Sequence, residues 1–273
     1  MQVRKSLPDI NRLSIVSAAI MLAFALTQIV SFPAQMISFS VFGIVLDFLL
    51  DFSTVITLFT AVLAAVGMDW LIQSHPEKER QHSFFANSRH WVIPIFTTLV
   101  IGVVLNSFAG GPYWWIIYGL GSLILIAVLI AEYNVVVTEE SKHPLASVGL
   151  TGLSFVLFFL LAIAVFSANL RLYIRLPLLA LGALMTISRS LYLRLGHWYP
   201  VWAMINSLVV SEIVVGFHYL PLAPIQFGLV LVGVAYSLTS VVTGIKESRK
   251  NWGLRGESMV MLLFTIVISI FWR

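Results

Sequence analysis

Residues 145–168 read LASVGLTGLSFVLFFLLAIAVFSA, an unbroken run without a charged side chain. A helix needs about 20 mostly apolar residues to cross a hydrocarbon core of roughly 30 Å, so this stretch predicts a transmembrane helix. Lys142 precedes the run and Arg171 follows it. The rest of the chain repeats this arrangement of long apolar runs between short polar connections.

Composition places the whole chain in the same class. Of 273 residues, 59% are hydrophobic and 10% are charged, whereas soluble domains carry about 25% charged residues. A soluble globular protein, a disordered chain and a nucleic-acid-binding protein are therefore excluded. The chain contains no Cys, which excludes a disulfide framework, a thiolate nucleophile and Cys-ligated zinc. We expect an all-α, polytopic bundle of transmembrane helices that forms a single integral membrane domain over residues 1–273.

Runs bounded by charge, Pro or Gly predict about nine spans. They lie near 13–32, 53–73, 91–108, 113–136, 145–168, 176–195, 200–220, 222–244 and 258–272. Pro144 and Pro177 are interpreted as marking helix starts. The last run is short for a full crossing, and its helix could begin earlier if the Arg255 side chain snorkels to the interface.

Basic residues set the expected orientation. With the N-terminus in the cytoplasm, only Arg171, Arg175 and Arg273 fall on the far side, and the other Lys and Arg residues fall on the cytoplasmic side. This bias is the positive-inside pattern. It predicts an integral membrane protein with a cytoplasmic N-terminus and an extracytoplasmic C-terminus.

The segment 33–52 is too long to join the helix that follows it, because about 40 helical residues would span near 60 Å. Its side chains alternate on either side of Gly43. Alternation favours a short extracytoplasmic β-hairpin or interfacial flap. A half-inserted helix is the competing interpretation.

Charged residues inside spans are costly and need a partner or a cavity. Counted from the outer helix ends at about 1.5 Å per residue, Asp69, Glu132 and Arg189 lie roughly 20–28 Å deep, toward the cytoplasmic side. They could pair into one cluster, with Arg194 at the boundary. Such a cluster is either a set of structural ion pairs or a site for a ligand or headgroup.

Of the charged residues within spans, Glu212 lies closest to the middle of its span, some 18 Å from the cytoplasmic end. On a neighbouring face of the same helix, Ser207, Ser211 and His218 follow one another at helical spacing. These groups could form a proton path or hold a polar part of a substrate. The alternative is a protonated Glu212 that hydrogen-bonds to a neighbouring helix.

No metal or cofactor is expected. His75, His82 and His90 share the loop 74–90, but ligands on a helix are usually spaced by three or four residues and no Cys is present to help. The sequence also lacks a G-x-S-x-G elbow, a P-loop, a Rossmann fingerprint and an HExxH motif.

One resemblance concerns about half of the chain. The residues that carry it are Asp69-Trp70-Leu71, Ala131-Glu132-Tyr133, Ser211-Glu212, His218 through Leu222, Gly228 and Tyr236. In these spaced residues the chain resembles a group of uncharacterised bacterial polytopic membrane proteins. The resemblance implies a bacterial membrane protein and carries no activity.

The absence of a catalytic motif and the small soluble mass favour a non-enzymatic role. We expect a carrier of a small solute or lipid, or a subunit of a membrane complex. An intramembrane enzyme acting on a lipid or isoprenoid is the alternative, and a purely structural subunit is a third. Expected partners are membrane lipids and either other membrane subunits or further copies of the chain, and no nucleic acid.

Overall fold

A computed structural model describes residues 8–30, 32–41, 44–74, 88–136, 144–247 and 251–271. Over these ranges the chain forms nine helices and one β-hairpin. The helices are α1 (Ile10–Ile29), α2 (Phe52–Gln73), α3 (Val92–Ser107), α4 (Trp114–Val136), α5 (Pro144–Ser167), α6 (Leu172–Leu195), α7 (Pro200–His218), α8 (Pro224–Lys246) and α9 (Asn251–Phe271).

The helices confirm the all-α membrane fold. Eight of them, α1 to α8, are long and apolar enough to cross a bilayer, the third when the turn Ser88–His90 before it is included. Apart from the start of α6, their bounds follow the predicted spans closely. The ninth helix begins at Asn251, upstream of the expected start at 258 and of Arg255. The snorkelling expected of Arg255 stays a prediction, because its side chain lies outside the described ones.

The segment after α1 is a hairpin. Strands β1 (Gln35–Val41) and β2 (Ile44–Leu50) pair antiparallel, with Gln35 opposite Leu50. The Ser38 hydroxyl donates to Asp47 Oδ1 at 2.8 Å across a paired position. The alternating pattern is therefore confirmed as a two-stranded ribbon, and the half-inserted helix is wrong.

The expected start of the sixth helix at residue 176 is also wrong. Helix α6 begins at Leu172 and contains Pro177 in its interior. Proline is tolerated there because neighbouring groups in a membrane protein can satisfy the freed carbonyl. The earlier start places Arg175 inside the helix.

The chain folds as two compact units, Met1–Ala146 and Ser147–Arg273. In the first unit α1 packs on α2 and α4, and α3 packs on α2 and α4. Glycines permit these close approaches. A Cβ at Gly67 would overlap Val16, and a Cβ at Gly102 would overlap Thr57. The core of the unit also buries Phe24 and Trp114.

In the second unit α6 packs on α7 and α8, and α8 packs on α7 and α9. Helix α5 joins them through the Thr186 hydroxyl, which donates to the Ser154 carbonyl at 3.3 Å. Aromatic rings add contacts between α5 and α8, with Phe166 and Phe227 centred 4.4 Å apart. Small residues on α8 allow α9 to approach, and a Cβ at Gly233 would overlap Thr265.

A pair of glycine substitutions tests the packing of α2 on α3. Gly102→Ala brings a Cβ against Thr57, so we expect a loss of about 1–3 kcal/mol in the free energy of unfolding in detergent. Gly119→Ala in α4 is the matched control, because nothing lies within 4 Å of its added Cβ. It should leave stability unchanged or raise it by less than about 1 kcal/mol. Equal stabilities for the two variants would contradict the packing.

Candidate functional site

A buried polar pair lies in the first unit, where α4 meets the turn before α3. His90 Nδ1 lies 3.0 Å from Glu132 Oε2, and the side chains are 3% and 0% exposed. His90 ends a short 3₁₀ turn, Ser88–His90, that precedes α3. Glu132 lies in the last two turns of α4. The pair ties the start of one span to the end of the next.

A third residue fixes the protonation pattern of this pair. Arg89 Nε donates to His90 Nε2 at 3.2 Å. Because an arginine N–H is always a donor, His90 Nε2 accepts and its Nδ1 carries the proton toward Glu132. The result is a hydrogen-bonded chain from Arg89 through His90 to Glu132. Such a chain offsets part of the cost of burying these polar groups and links the start of α3 to the end of α4.

Asp69 lies in the same unit, near the end of α2. It is 9% exposed, and Gln73 Nε2 donates to its Oδ2 at 2.7 Å. The neighbouring Trp70 carbonyl accepts from Arg12 Nη1 at 2.9 Å. Asp69 and Glu132 thus both lie toward the predicted cytoplasmic ends of their helices.

Arg189 belongs to the second unit. It is fully buried in α6, and its guanidinium carbon lies 5.1 Å from the centre of the Tyr192 ring, one turn further along. The delocalised cation over an aromatic face is a recognised way to hold a buried charge.

We expect a strong energetic coupling between His90 and Glu132. His90→Ala and Glu132→Ala should each lower the free energy of unfolding by about 3–5 kcal/mol, because each leaves a buried partner uncompensated. The double variant should lose less than the sum by at least about 1 kcal/mol. Denaturant titration in detergent measures the cycle.

Ser107→Ala is the control for that cycle. Its hydroxyl is exposed and bonds only its own helix at 2.9 Å, so its loss should change stability by no more than about 0.5 kcal/mol. If the double variant lost as much free energy of unfolding as the sum of the two single variants, this result would contradict the chain of hydrogen bonds.

The second unit carries an open groove between α6 and α7, here called the Glu212 groove. Its volume is about 610 Å³. Its walls are almost entirely apolar apart from two serines and one carboxyl. The lining residues are Leu176, Pro177, Ala180, Leu181, Leu184, Met204, Ser207, Leu208, Ser211, Glu212 and Val215.

The two serines direct their protons away from Glu212. Ser207 Oγ donates to the Ala180 carbonyl on α6 at 2.7 Å. Ser211 Oγ donates to the Ser207 carbonyl at 2.8 Å. Ser207, Ser211 and Glu212 line one groove, but neither hydroxyl hydrogen remains for the carboxyl.

Glu212 itself is exposed. Within the described part of the chain, no side chain or backbone group bonds to its carboxyl. It is part of an exposed stripe that follows one face of α7 at helical spacing. The other members of that stripe are Val201, Met204, Ile205, Leu208, Gly216 and Tyr219. Glu212 is the stripe's one charged member.

His218 does not join Glu212. Its Nδ1 lies 2.9 Å from Arg175 Nη1, and His218 is not among the groove's lining residues. Arg175 is only 4% exposed, and its guanidinium also lies 4.8 Å from the centre of the Phe166 ring. This pair connects the last turn of α7 to the first turn of α6.

Sequence reasoning misses the roles of three polar residues. Arg89 and His90 precede the predicted third span, so neither is expected as a partner for Glu132. Arg175 falls outside the predicted sixth span, because Pro177 is interpreted as the helix start. His75 and His82 lie outside the described residues.

A family model described as a protein of unknown function, DUF5656, matches residues 32–272. The matched range includes the hairpin and helices α2 to α9. No curated protein and no solved structure matches the chain. The match confirms an uncharacterised family, as the resemblance implied, and it brings no activity. Bacterial origin stays a prediction.

Proposed function

The chain belongs to the DUF5656 family, whose function is unknown, and we propose that it is a non-enzymatic subunit of a membrane complex. In this proposal the Glu212 groove receives a transmembrane helix of a different protein. The observation that carries it is the exposed carboxyl of Glu212, without a partner in the described chain, in an apolar stripe of a spanning helix.

The depth of Glu212 in the membrane makes contact between its carboxyl and lipid unfavourable. Glu212 lies about 18 Å from the first residue of α7 and about 9 Å from its last, at 1.5 Å per residue. A charged group near the centre of a spanning helix costs about 2.5–3.5 kcal/mol when it faces lipid. A hydrogen-bond donor from a neighbouring helix would remove much of that cost.

The groove's shape supports a helix as the occupant. Ala180, Ser207 and Ser211 present small side chains along it, and small residues let helix backbones approach closely in membranes. Because both serine protons are used within the unit, the donor for Glu212 has to come from outside it. Lys, Arg, His or Asn at the matching depth would supply that donor.

A second copy of this chain fits less well than a different protein. On the described exposed surface of the spanning helices, basic side chains lie only near helix ends, as at Lys246. Arg175 and Arg189 are buried. A second copy therefore offers no basic group at the depth of Glu212.

The enzyme alternative is not favoured by the site. Acid–base catalysis would need Glu212 and His218 within reach of one substrate. His218 instead accepts from Arg175 and is absent from the groove's lining.

Site-specific photocrosslinking tests the proposal. With a photoreactive amino acid at Leu208 in native membranes, we expect one discrete protein adduct, and Glu212→Leu should lower its yield about tenfold, since interhelical polar contacts are worth about 1–2 kcal/mol. The same probe at Leu123, an exposed position on α4, is the control and should give no such adduct.

The adduct must then be identified by mass spectrometry. We expect a spanning helix with a basic or amide side chain at the depth of Glu212. Glu212→Lys should abolish the adduct, and the reciprocal basic-to-Glu change in the partner should restore it. Adducts with lipid alone, with a second copy, or insensitive to Glu212→Leu would overturn the proposal.

The membrane and the orientation are also proposed: a bacterial plasma membrane, with the N-terminus in the cytoplasm. The chain contains no Cys, so each engineered cysteine is unique. Arg80→Cys and Lys250→Cys should resist an impermeant maleimide in intact cells, whereas Gly110→Cys in the loop before α4 should react. The reverse labelling pattern would contradict the orientation.

A further inference from the structure

A second cavity in the second unit lies on helices α5, α6, α8 and α9, away from the Glu212 groove. Its volume is about 400 Å³, within the range of ligand pockets. We propose that this cavity, the Arg194 slot, binds one acyl chain of an anionic phospholipid, with the phosphate held by Arg194. The proposal goes beyond the docking role of the Glu212 groove.

The slot has a charged mouth and an apolar floor. Arg194 is the next-to-last residue of α6, and Ser147 is in the first turn of α5. Phe155, which also lines the slot, lies about 12 Å further along α5 at 1.5 Å per residue. There its ring meets Tyr236 of α8, with centroids 5.5 Å apart. The slot therefore runs from the membrane boundary into the hydrocarbon layer.

Arg194 is the one cation among the slot's described lining residues. No described residue forms a hydrogen bond or ion pair with its guanidinium, and its side chain is half-buried. The hydroxyls of Thr151 and Thr265 donate to carbonyls of their own helices. A ligand with one anionic oxygen cluster and an apolar tail satisfies this combination, because arginine binds phosphate through paired N–H groups.

Glycine makes the slot open at its centre. Gly152 lines it, and a Cβ added there would meet nothing within 4 Å. A large side chain at this position should fill the slot without overlapping the backbone. Gly149, one turn earlier on α5, has equally open surroundings but is not among the lining residues. The two glycines form a matched pair for blocking experiments.

Native mass spectrometry of the purified full-length chain, titrated with phosphatidylglycerol and phosphatidylcholine of identical acyl chains, tests the proposal. We expect phosphatidylglycerol to bind about fivefold to tenfold more tightly, since one basic residue near an anionic headgroup contributes about 1 kcal/mol. Arg194→Gln should remove this preference, and Arg194→Lys should keep it. Arg171→Gln, at the opposite end of α6, should leave it unchanged.

Gly152→Phe should weaken the binding of both lipids about tenfold, and Gly149→Phe should not. Equal binding of the two lipids by the unaltered chain would overturn the proposal, as would a preference that survives Arg194→Gln. Oleate binding as tightly as phosphatidylglycerol would overturn the phospholipid assignment. If Gly152→Phe fails to fold, judged by its melting temperature, the Arg194 variants decide the outcome.

Discussion

An ionisable side chain is costly to place in hydrocarbon, and this cost governs how the polar residues of the spans are arranged. Among the described residues of the spans, four buried charged side chains each have a partner close by. Asp69 accepts from Gln73, Glu132 from His90, Arg175 bonds His218, and Arg189 stacks on Tyr192. Glu212 is exposed and lacks such a partner in the described chain. That exception is the reason to place a docking site on α7.

Much of the fold could be predicted because the thickness of the hydrocarbon core sets the length of each apolar run independently of the others. The uncharged run at 145–168 is α5, and alternation across 33–52 is the hairpin. The start of α6 could not be predicted in the same way. In soluble proteins a proline usually begins or ends a helix, whereas a membrane bundle can accommodate one such as Pro177 in a helix interior.

The arrangement of the polar residues could be predicted from the sequence only in part. Helical spacing predicts that Ser207, Ser211 and His218 share a face, because residues four or seven positions apart lie on the same side of a helix. Ser207 and Ser211 line the groove with Glu212, whereas His218 lies two turns further on, at the end of α7, beside Arg175. The His90–Glu132 pair spans 42 positions of sequence. Its formation depends on how α3 packs against α4, which spacing along one chain segment does not encode.

An electron cryo-microscopy map of the chain, extracted from native membranes in polymer-bounded lipid discs without detergent, would show what covers Glu212. We expect continuous helical density along the exposed stripe of α7, with a side chain from that density within hydrogen-bond distance of the Glu212 carboxyl. A map in which only acyl chains, or nothing ordered, cover Glu212 would contradict it.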